Sequence, residues 1–392
     1  MRQKIAVGIG IGVLFLLLTI PWWVHTLDTR DLEPATPTAS RGAPPPAPTP
    51  VQPPKPPAKV PPAPSQPRET PSPSPASLRN LTREGVLPRL VYIPEGDPAT
   101  IFDSLRRQGL PLWISDRFLL FPESIRPGWI RLRRSLSLAE FFRHINDTPR
   151  ERTRRVVMYS GDSLDDFIKH FSRQTRLRPT DLFEEYFHYS PYIDGGILAG
   201  FYRLPYRLTP GPAMAYLTEQ SEKRFEALAR EYLGSYDPAA FKRYLIIASI
   251  IQRESWHEEE MPRIAAVIEN RLRRGMKLQI DATLNYGPYS HRIVTPRRIR
   301  RDTSRFNTYK YKGLPPEPLG SVTEAALRAA LKPAQSDALY FVQNIYGTHD
   351  FARTYAEHLA NISRIKAERA RLRLARKAWE RLRRSQPKRK KR

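Results

Sequence analysis

The run Tyr244-Leu245-Ile246-Ile247-Ala248-Ser249-Ile250-Ile251-Gln252-Arg253-Glu254-Ser255-Trp256 reads as a strongly apolar helix that carries a carboxylic acid near its end. At 3.6 residues per turn Ile247, Ile250, Ile251 and Glu254 share one face, so an acid continues the stripe that must face the core. A carboxyl group there, set against Trp256, loses solvation when it ionises. Its pKa rises toward the neutral range in which a general acid works. That property suits cleavage of a glycosidic bond. Ordinary glycosidases place two carboxylates about the bond, one as acid and one as nucleophile or base, and Asp281 is the candidate for the second. A one-carboxylate alternative exists for amino-sugar polymers, in which the same Glu protonates the leaving oxygen and then deprotonates a hydroxyl of the sugar itself. The non-catalytic reading of Glu254 is an ion pair with Arg253 or Arg271.

Other chemistries lack their residues. The chain has no Cys, which excludes a disulfide-stapled scaffold, a thiolate zinc site and a thiol nucleophile. It shows no Gly-rich phosphate loop and no G-x-S-x-G elbow. His349 and His358 lie near Asp350 and Glu357, but their separation matches no zinc pattern, so they read as hydrogen-bonding or substrate-contact residues. Glu258-Glu259-Glu260 reads as a solvated acidic first turn, favoured by a helix dipole.

The elements that must hold Glu254 follow from pattern. Met261-Pro262 opens a helix that runs through Arg263–Arg274 and stops at Gly275, with Ile264, Val267, Ile268 and Leu272 inward. A polar loop or strand then carries Gln279, Asp281, Thr283 and Tyr286, and Asn307-Thr308-Tyr309 precedes the stiff Gly313-Leu314-Pro315-Pro316. A helix over Thr323–Leu331, a strand over Leu339–Val342 and a turn bearing Gly347–Phe351 complete the region. Upstream, Leu90–Ile93 and Val156–Asp162 each read as strand and turn, followed by helical stripes at Ile101, Phe102, Leu105 and at Leu164, Phe167, Ile168, Phe171. Between them Gly128–Leu132 alternates like a strand, and Ser137 with Glu140 forms a capping box. A helical stretch spans about Ala213–Leu233. The whole is α+β.

Composition sets the ends apart. Ile5 to Val24 is uncharged and twenty residues long, enough to cross a bilayer as a helix. No small-x-small cleavage site closes it, so residues 1–25 read as a cytoplasmic tip and transmembrane anchor. Arg2 and Lys4 before the span place the N-terminus in the cytoplasm and everything after it outside. Eighteen of the 40 prolines lie between Asp31 and Ala76, in a segment too poor in apolar residues to fold. Residues 26–80 are therefore a Pro-rich linker, at roughly 3 Å per residue a device for reach. Of the net charge of +26, half falls in residues 361–392, which hold fifteen Lys or Arg and two Glu.

Several blocks in register carry a family resemblance. Ile247–Ser255, Asn270–Gly287, Phe306-Asn307-Thr308-Tyr309, Gly313-Leu314-Pro315-Pro316, Lys332-Pro333-Ala334, Leu339–Val342 and His349-x-Phe351-x-x-Thr354-x-x-x-His358 together resemble the YceG-like endolytic murein transglycosylases. Upstream, the Ile93-Pro94-Glu95-Gly96 turn is similar to that family's LysM-like region. The resemblance implies a LysM-like module at 88–150, a YceG-like catalytic region at 151–360 and a basic tail at 361–392. It implies an enzyme anchored in the bacterial inner membrane that cuts nascent peptidoglycan strands between MurNAc and GlcNAc without water, leaving 1,6-anhydro-MurNAc ends. Glu254 matches the catalytic glutamate. Gln279, Asp281, Thr283, Tyr286, Asn307, Tyr309, His349 and His358 match positions assigned to glycan binding and to the positioning of Glu254. No metal or cofactor is implied, and peptidoglycan synthases are the implied protein partners.

Two blocks depart from the family pattern: Leu198-Ala199-Gly200 has Ala199 where Glu is expected, and Ser321-Val322-Thr323 stands where Asn-Pro-Gly is usual. They keep two alternatives open, a catalytically impaired glycan-binding scaffold and a hydrolytic muramidase using Asp281. The basic tail reads as a solvated helix with a disordered end, or as an attachment to anionic lipid or anionic wall polymer at ~1 kcal/mol per basic residue. Nucleic acid is not an expected partner, because the topology places the tail outside the cell.

Overall fold

A computed structural model describes residues 89–110, 112, 114, 116, 124–132 and 138–385, all within one unit, Asn80–Arg392. The expected anchor, the Pro-rich linker, Ser137 and the last basic residues lie outside the described residues. Among the described residues no helix is long and apolar enough to cross a membrane.

The architecture is mixed α+β with three small antiparallel ribbons. In the first, β1 (Arg89–Ile93) pairs with β2 (Gly128–Leu132), and helices α1 (Pro98–Arg107) and α2 (Leu138–His144) follow the two strands. In the second, β3 (Thr153–Met158) pairs with β4 (Gly200–Pro205) across the helices α3 (Leu164–Thr175) and α4 (Pro179–Tyr189). Asp97 and Ser163 cap α1 and α3 with side-chain oxygens, as the strand–turn–helix reading requires. Val156, Met158, Phe167, Ile168, Phe171 and Leu204 form one apolar core with Trp129 of β2.

Helix α5 (Pro210–Leu233) runs between two cores. Ala213, Met214 and Leu217 belong to the first, while Phe225, Leu228 and Ala229 belong to the second. The second core is built on α6 (Pro238–Glu254), α7 (Met261–Arg273) and α9 (Glu324–Leu331), with α8 (Pro296–Arg301) outside it. In α6 Phe241, Leu245, Ile247, Ile250 and Ile251 are fully enclosed, each stabilising the fold by about 2 kcal/mol. The helix begins six residues earlier than its apolar run, because Asp237 caps it and Pro238 occupies its first turn. The third ribbon, β5 (Tyr340–Gln343) with β6 (His349–Ala352), packs on α7, and α10 (Tyr355–Ser385) follows. Helix α10 passes position 361 without a break.

Backbone hydrogen bonds join the two cores at Ala199 and at Ser321-Val322-Thr323. Gly161 N–H donates to Ser321 O and Ser321 N–H to Asp162 O, both at 2.7 Å, and Ala199 N–H donates to Val322 O at 2.8 Å. From the other side Ser249 Oγ of α6 accepts Leu319 N–H at 2.9 Å, and Gln252 Oε1 accepts both Thr323 N–H and its hydroxyl. Gly320 lies inside this seam, where a Cβ would stand 2.3 Å from Asp162 O. Gly320→Ala should therefore lower unfolding stability by about 2 kcal/mol or more in urea titrations. A loss below about 0.5 kcal/mol would mean that the seam yields.

Candidate active site

Glu254 is the last residue of α6, and the chain turns extended at Ser255 (φ −142°, ψ 145°). Its carboxyl is partly buried at the end of the Ile247–Ile250–Ile251 face. Opposite it, α7 ends at Arg273, and Gly275 at φ 63° turns the chain back. The returning strand of backbone holds Gln279 at φ 52°, fixed by its N–H to Thr308 O at 3.2 Å, and then tightens into a turn over Asp281–Leu284. That turn presents Ala282 N–H to the Glu254 carboxyl and places Asp281 close enough to be felt electrostatically. Tyr309 Oη donates to Asp281 Oδ1 at 2.6 Å.

Burial, followed by the charge of Asp281, pushes the Glu254 pKa up to about 7, against the single opposing hydrogen bond from Ala282 N–H. The helix C-terminus acts the same way, since its unpaired carbonyls disfavour a negative group. Asp281 is itself raised by burial, with the Tyr309 hydroxyl opposing. Desolvation thus comes from the enclosing turn and not from Trp256, which is 66% exposed and lies against His257. The expected Trp contact fails because Ser255 leaves the helix and carries the following ring outward.

The two arginines that offered an ion pair are engaged elsewhere. Arg253 reaches Asn285 O and, at 2.9 Å, Ser290 Oγ. Arg271 donates to Leu339 O at 2.6 Å and to Leu278 O at 2.7 Å. Among the described residues no cation pairs with Glu254.

The sequence-derived site residues separate into three groups. Asp281 and Tyr309, bonded to each other, lie close enough to Glu254 to be felt electrostatically, and exposed Gln279 stands at the edge of the same loop. Tyr286 follows on that loop, stacked on Phe306 at 4.1 Å and 12°, both rings partly buried against the second core. Thr283 and Asn307, by contrast, are 0% exposed. Thr283 Oγ1 lies 2.9 Å from Thr308 Oγ1 and donates to Ile280 O, and Asn307 Nδ2 donates to Ile299 O and Asp302 O, both at 2.8 Å. The expectation of glycan contact through these two side chains is corrected to bracing of the Asp281 and Tyr309 loops, because neither has surface to offer. His349 is buried and bonded to Glu260, and His358 stacks on Tyr340 between α10 and β5, neutral because burial and Arg271 push its pKa down to about 4.

Sequence reasoning missed Glu260. It was expected to be solvated, yet it is 6% exposed and accepts from Ser255 Oγ at 2.5 Å and from His349 N–H at 2.8 Å. The three acids form a separate 3₁₀ turn ahead of α7, which aims the third one inward. The signal was present: Glu260 precedes Ile264, Val267 and Ile268 at helical spacing, as Glu254 follows its isoleucines.

The YceG-like family matches residues 91–364. An endolytic murein transglycosylase of Bacillus subtilis is 34% identical over 116 residues, 30% of this chain and 32% of that protein. Its counterpart in Streptococcus pneumoniae is 33% identical over 125 residues, 30% of this chain and 23% of that protein. The matched segment thus spans about a third or less of each of these relatives. A crystal structure of a YceG-like protein from Listeria monocytogenes aligns with 70% of this chain and 98% of its own, at 21% identity and a TM-score of 0.46.

The raised pKa has a stability consequence with a fixed sign. A carboxyl whose folded pKa lies near 7, above its unfolded value of 4.5, contributes fully below pH 4.5 and loses that contribution as pH rises toward 7. Glu254→Gln should therefore stabilise the protein by up to about 3 kcal/mol at pH 8 relative to its effect at pH 4.5, read from urea unfolding at both. Equal effects at the two pH values would show that the carboxyl is not desolvated.

Proposed function

Since the chain belongs to the YceG-like family, we propose that it is an endolytic peptidoglycan lytic transglycosylase with Glu254 as its general acid and base. The observation that carries this reading is a carboxyl at the end of α6 that pairs with no cation among the described residues and lies beside a second acid held by Tyr309, so that burial and that acid push it up to about 7. Protonated Glu254 gives its proton to the oxygen leaving MurNAc C1. Positive charge develops on that sugar ring, and Asp281, the nearer fixed negative charge when ionised, stabilises it. The Glu254 carboxylate then takes the proton of the sugar's C6 hydroxyl as that oxygen closes on C1. Bonds and protons balance without water or a cofactor, and the product end is 1,6-anhydro-MurNAc. Tyr286 with Phe306 supplies an apolar face for a pyranose, and Gln279 a polar edge.

The apolar span at 5–24 supports an inner-membrane anchor with the folded part in the periplasm, and the Pro-rich linker supports action on strands still close to their synthases. The strand–turn–helix module at 88–150 fits a LysM-like glycan-binding role. The cationic α10, with Leu372, Leu374, Trp379 and Leu382 exposed, supports contact with anionic lipid or wall polymer.

Mass spectrometry of uncrosslinked glycan digested by the full chain in detergent tests the reaction. Anhydro ends, which borohydride leaves untouched, are expected from the wild type, with cleavage reduced by about 1,000-fold or more in Glu254→Gln. Reducing ends would mean hydrolysis, and no products at all a binding scaffold. The pH profile tests the coupling. Activity should fall as pH rises past about 7, where the acid form of Glu254 is lost. Asp281→Asn removes the neighbouring charge, so the residual activity should fall at a lower pH than in the wild type; an unmoved basic limb would contradict the assignment.

A further inference from the structure

Ser255 is 3% exposed, and its backbone N–H still closes the last turn of α6 on Ile251 O at 2.9 Å. Its hydroxyl donates to Glu260 Oε1 at 2.5 Å and accepts His257 N–H at 3.0 Å. Glu260 in turn accepts His349 N–H on Oε2 and meets His349 Nδ1 with Oε1, both at 2.8 Å. One buried carboxylate thus holds three pieces of chain together: the residue after Glu254, the turn before α7, and strand β6. His349 is fixed from its other side by the edge-on ring of Phe341 at 5.3 Å.

Burying a carboxylate is costly unless its oxygens are filled, and an apolar residue commonly gives equal stability at such a position. Here both oxygens are filled, Oε2 by the His349 N–H and Oε1 by His349 Nδ1 and the Ser255 hydroxyl, so strand β6 fixes the carboxylate that holds the residue at which α6 ends. Glu260 does not act on Glu254 through charge, since the groups that shift Glu254 are its own burial, Asp281 and Ala282 N–H. The effect left to it is mechanical.

We infer that Glu260 is a positioning residue for Glu254, acting through the Ser255 hydroxyl to hold the end of α6 so that the acid stays under the Asp281–Leu284 turn. The inference rests on the proposed function for its kinetic consequence, but its structural consequence is independent of turnover. Loosening Ser255 frees the terminal turn of α6, and the Glu254 carboxyl then reaches water. Both its reach to the glycosidic oxygen and its desolvation decline together.

The test uses the full chain in detergent as wild type, Ser255→Ala, Ser255→Thr, Glu260→Gln and the double variant Ser255→Ala with Glu260→Gln. Ser255→Ala and Glu260→Gln should each lower kcat by about 10- to 100-fold with KM within about twofold, Ser255→Thr should keep kcat, and the double variant should be no worse than the poorer single. In parallel, carbon-13 NMR titration of the Glu254 carboxyl should show its midpoint falling toward the ordinary Glu range in Ser255→Ala and returning in Ser255→Thr. Wild-type kcat in Ser255→Ala, additive losses in the double variant, or an unmoved Glu254 midpoint would overturn the inference. If the wild type cleaves no glycan, the proposed function fails, and the titration alone decides the positioning role.

Discussion

An acid can be useful at neutral pH only while no cation rests against it, and most of the structure around Glu254 serves that constraint. Arg253 precedes it in the chain and Arg271 lies on the facing helix; either could lower its pKa by one to three units on contact, roughly the whole of its elevation. Both are instead bonded to backbone carbonyls, Arg253 to Asn285 and Arg271 to Leu278 and Leu339. The positive charge of Arg253 is balanced at a distance by Asp194, Asp166 and Asp162. Those aspartates belong to the strand–turn–helix part of the chain. The acid at the end of α6 therefore depends on a neighbour that the second core does not itself contain.

The seam through residues 319–323 makes that dependence rigid. It bonds Ser249 and Gln252 of α6 on one side and Gly161, Asp162 and Ala199 on the other. Asp162 thus serves twice, its carbonyl in the seam and its carboxylate, bonded to His170 at 2.5 Å, among the charges that Arg253 feels at a distance. Residue 199 contributes to the seam with its backbone N–H, which Ala supplies as well as Glu would. Ser321 and Val322 likewise contribute N–H and carbonyl groups. The departures at both blocks leave the joint between the cores intact.

The helices and ribbons were legible because their apolar periods and caps are local: Ser163 before α3, Pro262 in the first turn of α7 and Gly275 after it all act where the sequence places them. Glu254 was legible by the same local rule, as an acid extending an apolar stripe. Glu260 obeys that rule too, but its two acidic neighbours suggested a solvated run, and only the 3₁₀ turn separates the third from the first two. What distinguishes Thr283 and Asn307 from Asp281 and Tyr309 is not readable in sequence. All four are polar residues in matching loops, and whether each faces the cleft or the loop beneath depends on the pairing of residues 279–283 with 307–309, a contact across nearly thirty positions. Trp256 failed for the converse reason, since a helix that ends at Glu254 releases the ring that the pattern sets against the acid.

Two neighbouring carboxyls invite a two-carboxylate hydrolase, and the geometry bears on that choice. A base that activates water must present a free oxygen to the opposite face of the sugar and must be ionised while its partner is protonated. Asp281 Oδ1 already accepts the Tyr309 hydroxyl at 2.6 Å, and its burial raises its own pKa. The Tyr309 hydroxyl opposes that rise at Asp281, whereas at Glu254 the charge of Asp281 adds to the effect of burial. The same bond ties Asp281 to the loop and removes one oxygen from service to water. An anion so placed is better suited to holding charge on the ring than to moving protons. Glu254, touched by a single backbone N–H, is the less restrained of the two, which is why the proposed mechanism gives it the proton transfers.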